Sequence, residues 1–151
     1  MEGELKSKID QACRAAEEFI KLYYESLDKR RYLMSKLYMD TAILVWNGNG
    51  VEGKDQIQNF WTELPISEHS VITLDAQPIT GPTVASQLTF LVKVSGQVKY
   101  QDKDLKVKTY SDTVKTYKPS QTFNQNFLIT VIGDKGKIVS DCFRTQEALE
   151  S

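Results

Sequence analysis

The chain has 151 residues, 19 basic and 20 acidic, for a formal net charge of -1. This length with 40% hydrophobic residues is enough to bury a real core, and we expect one domain spanning 1–151. The balanced charge excludes a field that would draw nucleic acid or anionic lipid; no apolar run reaches the roughly 20 residues of a membrane span, and Met1 to Asp10 is too polar for a signal peptide, so a soluble intracellular protein is expected.

From Ile9 the apolar residues Ala12, Cys13, Ala16, Phe19, Ile20, Tyr23 and Leu27 follow the three-and-four spacing of one helix face, with Ser7 as candidate N-cap. The basic run Lys29, Arg30, Arg31 reads as a solvated cap at the carbonyl end of this helix or of a shorter one around Leu33 to Leu37. Ala42 to Trp46 reads as a strand stopped by a turn through Asn47, Gly48, Asn49 and Gly50. Gly53 to Glu63 reads as a third helix with Ile57, Phe60, Trp61 and Leu64 facing inward, closed by Pro65, so that Trp46 and Trp61 meet in one core.

After Pro65 the period changes. Val71 to Ile79 reads as a strand, with His69 before it in a solvated polar stretch, SEHS. Beyond a turn at Gly81 and Pro82, Ser86 to Tyr100 reads as a long strand. Leu88, Phe90, Val92, Val94, Val98 and Tyr100 point to the core, opposite Gln87, Thr89, Lys93, Ser95, Gln97 and Lys99. The polar segment Gln101 to Gln121 contains VKTY at Val107 to Tyr110 and again at Val114 to Tyr117. The two copies form either the arms of a projecting ribbon or a loop with fortuitous repetition. Six lysines against three aspartates between Lys99 and Lys118 make it mildly basic.

The C-terminal stretch Thr122 to Thr145 reads as a hairpin turning between Gly133 and Gly136. In its first arm Phe123, Gln125, Phe127, Ile129 and Val131 share one side. The other side carries Asn124, Asn126, Leu128, Thr130 and Ile132, too apolar for open water and too amide-rich for an ordinary core. In the second arm Val139, Asp141 and Phe143 alternate with Ser140, Cys142 and Arg144; the hairpin register decides which set faces the helices. Three helices before a run of antiparallel strands describe an α+β domain, a curved antiparallel sheet wrapped on its helices with a semi-polar outer face turned to a partner.

Little here favours chemistry. Cys13 and Cys142 lack metal or redox spacing and are expected reduced and buried, and no phosphate loop or nucleophile elbow occurs. No catalytic, cofactor-binding or metal-ligating residue is assigned. Asp141, if inward near Tyr23 or Tyr24, forms either an acid and hydroxyl pair or a satisfied structural carboxylate.

The segments DQACRAAEEF (Asp10 to Phe19), DKRR (Asp28 to Arg31), LVWNGN (Leu44 to Asn49), FNQNF (Phe123 to Phe127) and SDCFR (Ser140 to Arg144) together resemble the small export subunits related to nuclear transport factor 2. The resemblance covers nearly the whole chain. It implies a cone-shaped α+β fold with three N-terminal helices packed on the sheet, and an obligatory heterodimer with the related domain of a large mRNA export receptor, sheet against sheet. It further implies docking of the pair to phenylalanine-glycine repeats of nucleoporins, and a protein that shuttles between nucleus and cytoplasm through nuclear pores without direct contact to nucleic acid or membrane. Arg144 matches the family's cross-interface arginine, and Cys142, Asn124, Asn126 and Leu128 are expected beside it. The segment 101–121 is longer than such proteins usually carry. Two other readings share the fold: a homodimeric import carrier for a GDP-bound small GTPase, and a cone-fold isomerase or dehydratase.

Overall fold

The computed structural model describes residues 2–79, 88–108 and 113–146. Helix α1 runs Glu2–Lys29, a 3-10 helix runs Arg31–Leu37, strand β1 Tyr38–Trp46, β2 Asn49–Glu52, helix α2 Lys54–Glu63, β3 Ser67–Pro78, β4 Thr89–Lys108, β5 Thr113–Tyr117, β6 Gln121–Ile132 and β7 Lys135–Thr145. Ala12, Ala16, Phe19, Ile20, Tyr23 and Leu27 of α1 are buried as the spacing dictates, joined by Tyr24. Ser7 is no cap, because the helix begins earlier and carries it within its second turn. Ile9 is 39% exposed.

The strands order β2-β1-β7-β6-β4-β3, with β5 pairing only β4. Every adjacent pair is antiparallel except β1 and β7, which run parallel, so the sheet is mixed rather than antiparallel throughout. The departure follows from the topology: β2 takes one edge of β1, while β3, β4 and β6 lie beyond the other, and β7 fills the gap between β1 and β6 in the direction of β1.

Boundaries moved where polar residues hold strand positions. β1 begins at Tyr38 and not Ala42: Tyr38 is buried and already pairs with Ile138 of β7, while Asp40 and Thr41 are exposed strand residues. Only Asn47 and Gly48, with φ of 48° and 85°, form the first turn; both positive angles fit the two-residue hairpin loop that matches strand twist, and Asn49 and Gly50 open β2. β3 starts at Ser67 rather than Val71 and so includes His69. The expected turn at Gly81 and Pro82 and the expected strand start at Ser86 lie outside the described residues, while β4 confirms the inward row Phe90, Val92, Val94 and Val98. The hairpin turn is Gly133 and Asp134, with Lys135 already paired to Ile132. An irregularity between Leu128 and Ile129 brings Ile138 into the core opposite Ile129 and leaves Val139 half-buried. Val107 and Lys108, which begin the first VKTY copy, pair with Val114 and Thr113 as ribbon arms; residues 109–112, the rest of that copy among them, lie outside the described residues. Trp46 and Trp61 join one core through Phe60, whose ring lies 5.6 Å from one and 5.4 Å from the other.

Two polar residues expected in solvent are packed. The Arg31 guanidinium donates to the carbonyls of Leu27, Trp61, Leu64 and Pro65 and to Ser67 Oγ, gathering the carbonyl ends of both α-helices. His69 has a side chain 1% exposed, with Nδ1 2.7 Å from Asp28 Oδ1 and its backbone amide donating to Asp28 Oδ2 at 2.8 Å. Ser67 Oγ also donates to Asp28, at 2.8 Å, so α1 and the start of β3 share one carboxylate. Conversely, the cysteines are free but not buried: Cys13 is half-buried and Cys142 exposed, because strand alternation turns Cys142 outward between Asp141 and Phe143.

Candidate functional site

The β6 and β7 register sets the outer face. Arg144 lies opposite Asn124, Cys142 opposite Asn126 and Ser140 opposite Leu128. All five sequence-predicted interface residues, Arg144, Cys142, Asn124, Asn126 and Leu128, therefore share one side of the sheet. Leu128 is half-buried and the other four are exposed. Their β4 neighbours continue the surface: Ser95 faces Asn124, Lys93 faces Asn126 and Leu91 faces Leu128. On the far side of β7, Ile43 pairs Ser140 and Val45 pairs Cys142. A shallow depression of about 460 Å³ lies over Thr73, Asp75, Lys93, Ser95, Asn124 and Asn126. Arg144 reaches toward the first turn, where a Cβ on Gly48 would sit 3.8 Å from its Nη2.

The inner face of the same strands holds the other candidate. Asp141 is 1% exposed. Its Oδ2 accepts the hydroxyls of Tyr23 at 2.8 Å and Tyr38 at 2.7 Å, and its Oδ1 accepts Gln125 Nε2 at 2.7 Å. Around this centre Trp61 Nε1 donates to the Tyr38 hydroxyl at 3.1 Å, Tyr24 donates to Gln125 Oε1 at 2.6 Å, and Gln125 Nε2 also reaches the Tyr23 hydroxyl at 3.0 Å. Burial pushes the carboxyl up to about 6, although hydrogen bonds from Gln125, Tyr38 and Tyr23 pull it down; burial, then the carboxylate itself, drives both tyrosines upward.

An acid near 6 beside two hydroxyls has the makings of proton-transfer chemistry, but both of its oxygens are engaged, by Tyr23 and Tyr38 on one and by Gln125 on the other. The Tyr23 ring packs edge-on against Phe127 at 4.8 Å and Tyr24 at 5.0 Å, filling the space inside the sheet. A cavity of about 880 Å³ opens between α1, the 3-10 helix and the ends of β4, β6 and β7; Tyr38, a partner of Asp141, lines it together with Phe19, Phe90 and Val131. Asp141 is thus the satisfied structural carboxylate of the sequence alternatives. Pattern reading placed Gln125 in the apolar row and paired Asp141 with tyrosine, but missed Tyr38 and Trp61; the signal available was Gln125 itself, a polar residue that needs buried partners.

The family signature described as nuclear transport factor 2 (NTF2) domain matches residues 15–145. The chain belongs to the NTF2 domain family. Among NTF2 proteins it is 44% identical over 148 residues to human NTF2-related export protein 2, covering 95% of this chain and 94% of that protein. Its fold is similar to a chain of the Candida albicans Mtr2-Mex67 M domain complex, with TM-score 0.70 at 16% identity over 93% of this chain and 99% of the other. It is equally similar to a putative NTF2-like dehydratase from Streptomyces avermitilis, with TM-score 0.72 at 13% identity and the same coverages. The NTF2 fold thus serves binding subunits and enzymes alike, and residues must decide between them.

Proposed function

We propose that the chain is a non-enzymatic binding subunit, one NTF2-like domain over 1–151 with a ribbon insert at 101–121. It heterodimerises through its outer sheet face with the NTF2-like domain of a large mRNA export receptor and supports passage of mRNA through nuclear pores. The pair docks on phenylalanine-glycine nucleoporins and shuttles between nucleus and cytoplasm. The observation that carries this reading is the division of labour across β6 and β7: the inner acid is buried and satisfied by Tyr23, Tyr38 and Gln125, while exposed Asn124, Asn126, Cys142 and Arg144 and half-buried Leu128 share one outer face. The human relative's name as an export protein and the Mtr2-Mex67 complex among fold neighbours support the same assignment.

Arg144 is the sharpest test. Covered by a second sheet it must meet a carboxylate, and losing one member of such a pair costs about 2 to 5 kcal/mol. Arg144→Ala should weaken heterodimer formation by tens of fold, and Arg144→Glu more. Circular dichroism showing a folded Arg144→Glu, with undiminished affinity by calorimetry, would remove this interface.

A further inference from the structure

The outer face presents two cations without an ion pair among the described residues. Among the described residues the lysine ion pairs are Lys8 with Glu4, Lys54 with Asp40 and Lys99 with Glu68, and no ion pair involves Lys93 or Arg144. Lys93 is exposed one strand in from the β3 edge of the sheet, between Asp75 on β3 and Asn126 on β6, and it forms no ion pair even with that cross-strand aspartate. Beside it Leu91 and Leu128 pair across β4 and β6, and Ile43, 48% exposed, continues the apolar row beyond Ser140. An apolar row of this kind gains by being covered. A lysine and an arginine next to it lose water in the same event, so the covering surface must supply acceptors for both.

We propose that Lys93 is a second charge-reading residue of this interface, and that the face is covered by a different polypeptide whose sheet sets one carboxylate over Lys93, another over Arg144, and apolar side chains over Leu91, Leu128 and Ile43. The inference rests on the heterodimer reading and deepens it by stating the partner's chemistry. A second copy of this chain does not fit. It would bring a second lysine and arginine to a face whose exposed carboxylates free of an ion pair, among the described residues, are Asp75 on the edge strand β3 and Glu52 beside Ile43 on β2.

The test uses the full chain with the NTF2-like domain of a large mRNA export receptor, with affinity measured at about 0.05 and about 0.5 M salt. Lys93→Met keeps most of the stem and removes the charge; it should bind about tenfold more weakly at low salt and with a flatter salt dependence. Lys93→Glu should bind about a hundredfold more weakly while its circular dichroism is unchanged. If Lys93→Glu binds within about twofold of the native chain while Leu128→Asp abolishes binding, this inference is overturned and the heterodimer reading stands. If Leu128→Asp and Arg144→Glu both bind as the native chain does, the heterodimer reading falls and takes the inference with it. A stable homodimer in light scattering that Leu128→Asp dissociates would make the occupant a second copy, which also overturns it.

Discussion

Replacing Asp141 by asparagine probes the buried cluster at its centre. The native carboxylate accepts two tyrosine hydroxyls on Oδ2 and the Gln125 amide on Oδ1. An asparagine that keeps its carbonyl under the tyrosines turns its own amide toward Nε2 of Gln125, donor against donor. Inverting the Gln125 amide relieves that contact but presents Nε2 to the Tyr24 hydroxyl, which now donates to Oε1 and must rotate to accept. The net loss is about one hydrogen bond, or about 1 kcal/mol, where the native carboxyl is neutral. Charge acts in the opposite direction. Burial raises the carboxyl from 3.8 to about 6, so the folded chain holds a proton that the unfolded chain releases between those values. The stability this confers is full below the unfolded value and is lost as pH rises through the folded one. The fall is about 3 kcal/mol, at about 1.4 kcal/mol for each tenfold change in proton affinity. Asparagine does not titrate. The variant should therefore be about 1 kcal/mol less stable than the native chain near pH 3 and about 2 kcal/mol more stable near pH 7.5. Urea unfolding followed by tryptophan fluorescence across this range measures the difference, and a difference that does not change with pH refutes the account.

Other perturbations have equally definite outcomes. A Cβ added at Gly96 would lie 2.0 Å from the Ser70 carbonyl oxygen and 3.1 Å from Phe123 Cε1, so Gly96→Ala should force β3 and β4 apart and lower the urea midpoint by the equivalent of about 2 to 3 kcal/mol. Asp28→Ala removes the acceptor for Ser67 Oγ, the His69 amide and His69 Nδ1, and should cost about 2 to 4 kcal/mol; hydrogen exchange should speed up at the His69 amide and not along β6. Replacing residues 103–115 by a short glycine-serine link should leave stability within about 1 kcal/mol, since Gln101 still pairs with Tyr117 at the ribbon's base and closure cost changes slowly with loop length. Thermal melting that shows a larger loss would mean the ribbon arms pack on the sheet.

What was legible in the chain follows from which forces leave a period. Phe90, Val92, Val94 and Val98 alternate because apolar burial selects every second residue, and α1 announced itself by its three-and-four stripe. The inward row of β6 and the outward placement of Asn124 and Asn126 were equally plain. Ser67, His69 and Arg31 were not, because their burial is compensated by Asp28 and by backbone carbonyls far along the chain, and such compensation leaves no local pattern. Arg144 could be assigned to a face only when the turn was fixed at Gly133 and Asp134, since a slip of one residue exchanges the sides of the whole strand.

The parallel pairing of β1 with β7 orders events in time. Among the described strands β7 comes latest in the chain, yet it sits between β1 and β6, so Trp46 cannot stack on Phe143 and Tyr38 cannot reach Asp141 until all the strands between them have been made. Before that, β1 and β2 have only each other and the helices for support, and contacts that span the full sequence are slow to form. The same strand carries Cys142 and Arg144, so the step that closes the core also completes the outer face. A nascent or truncated chain therefore has no finished surface to offer, and a partner that reads this face selects molecules that have already folded.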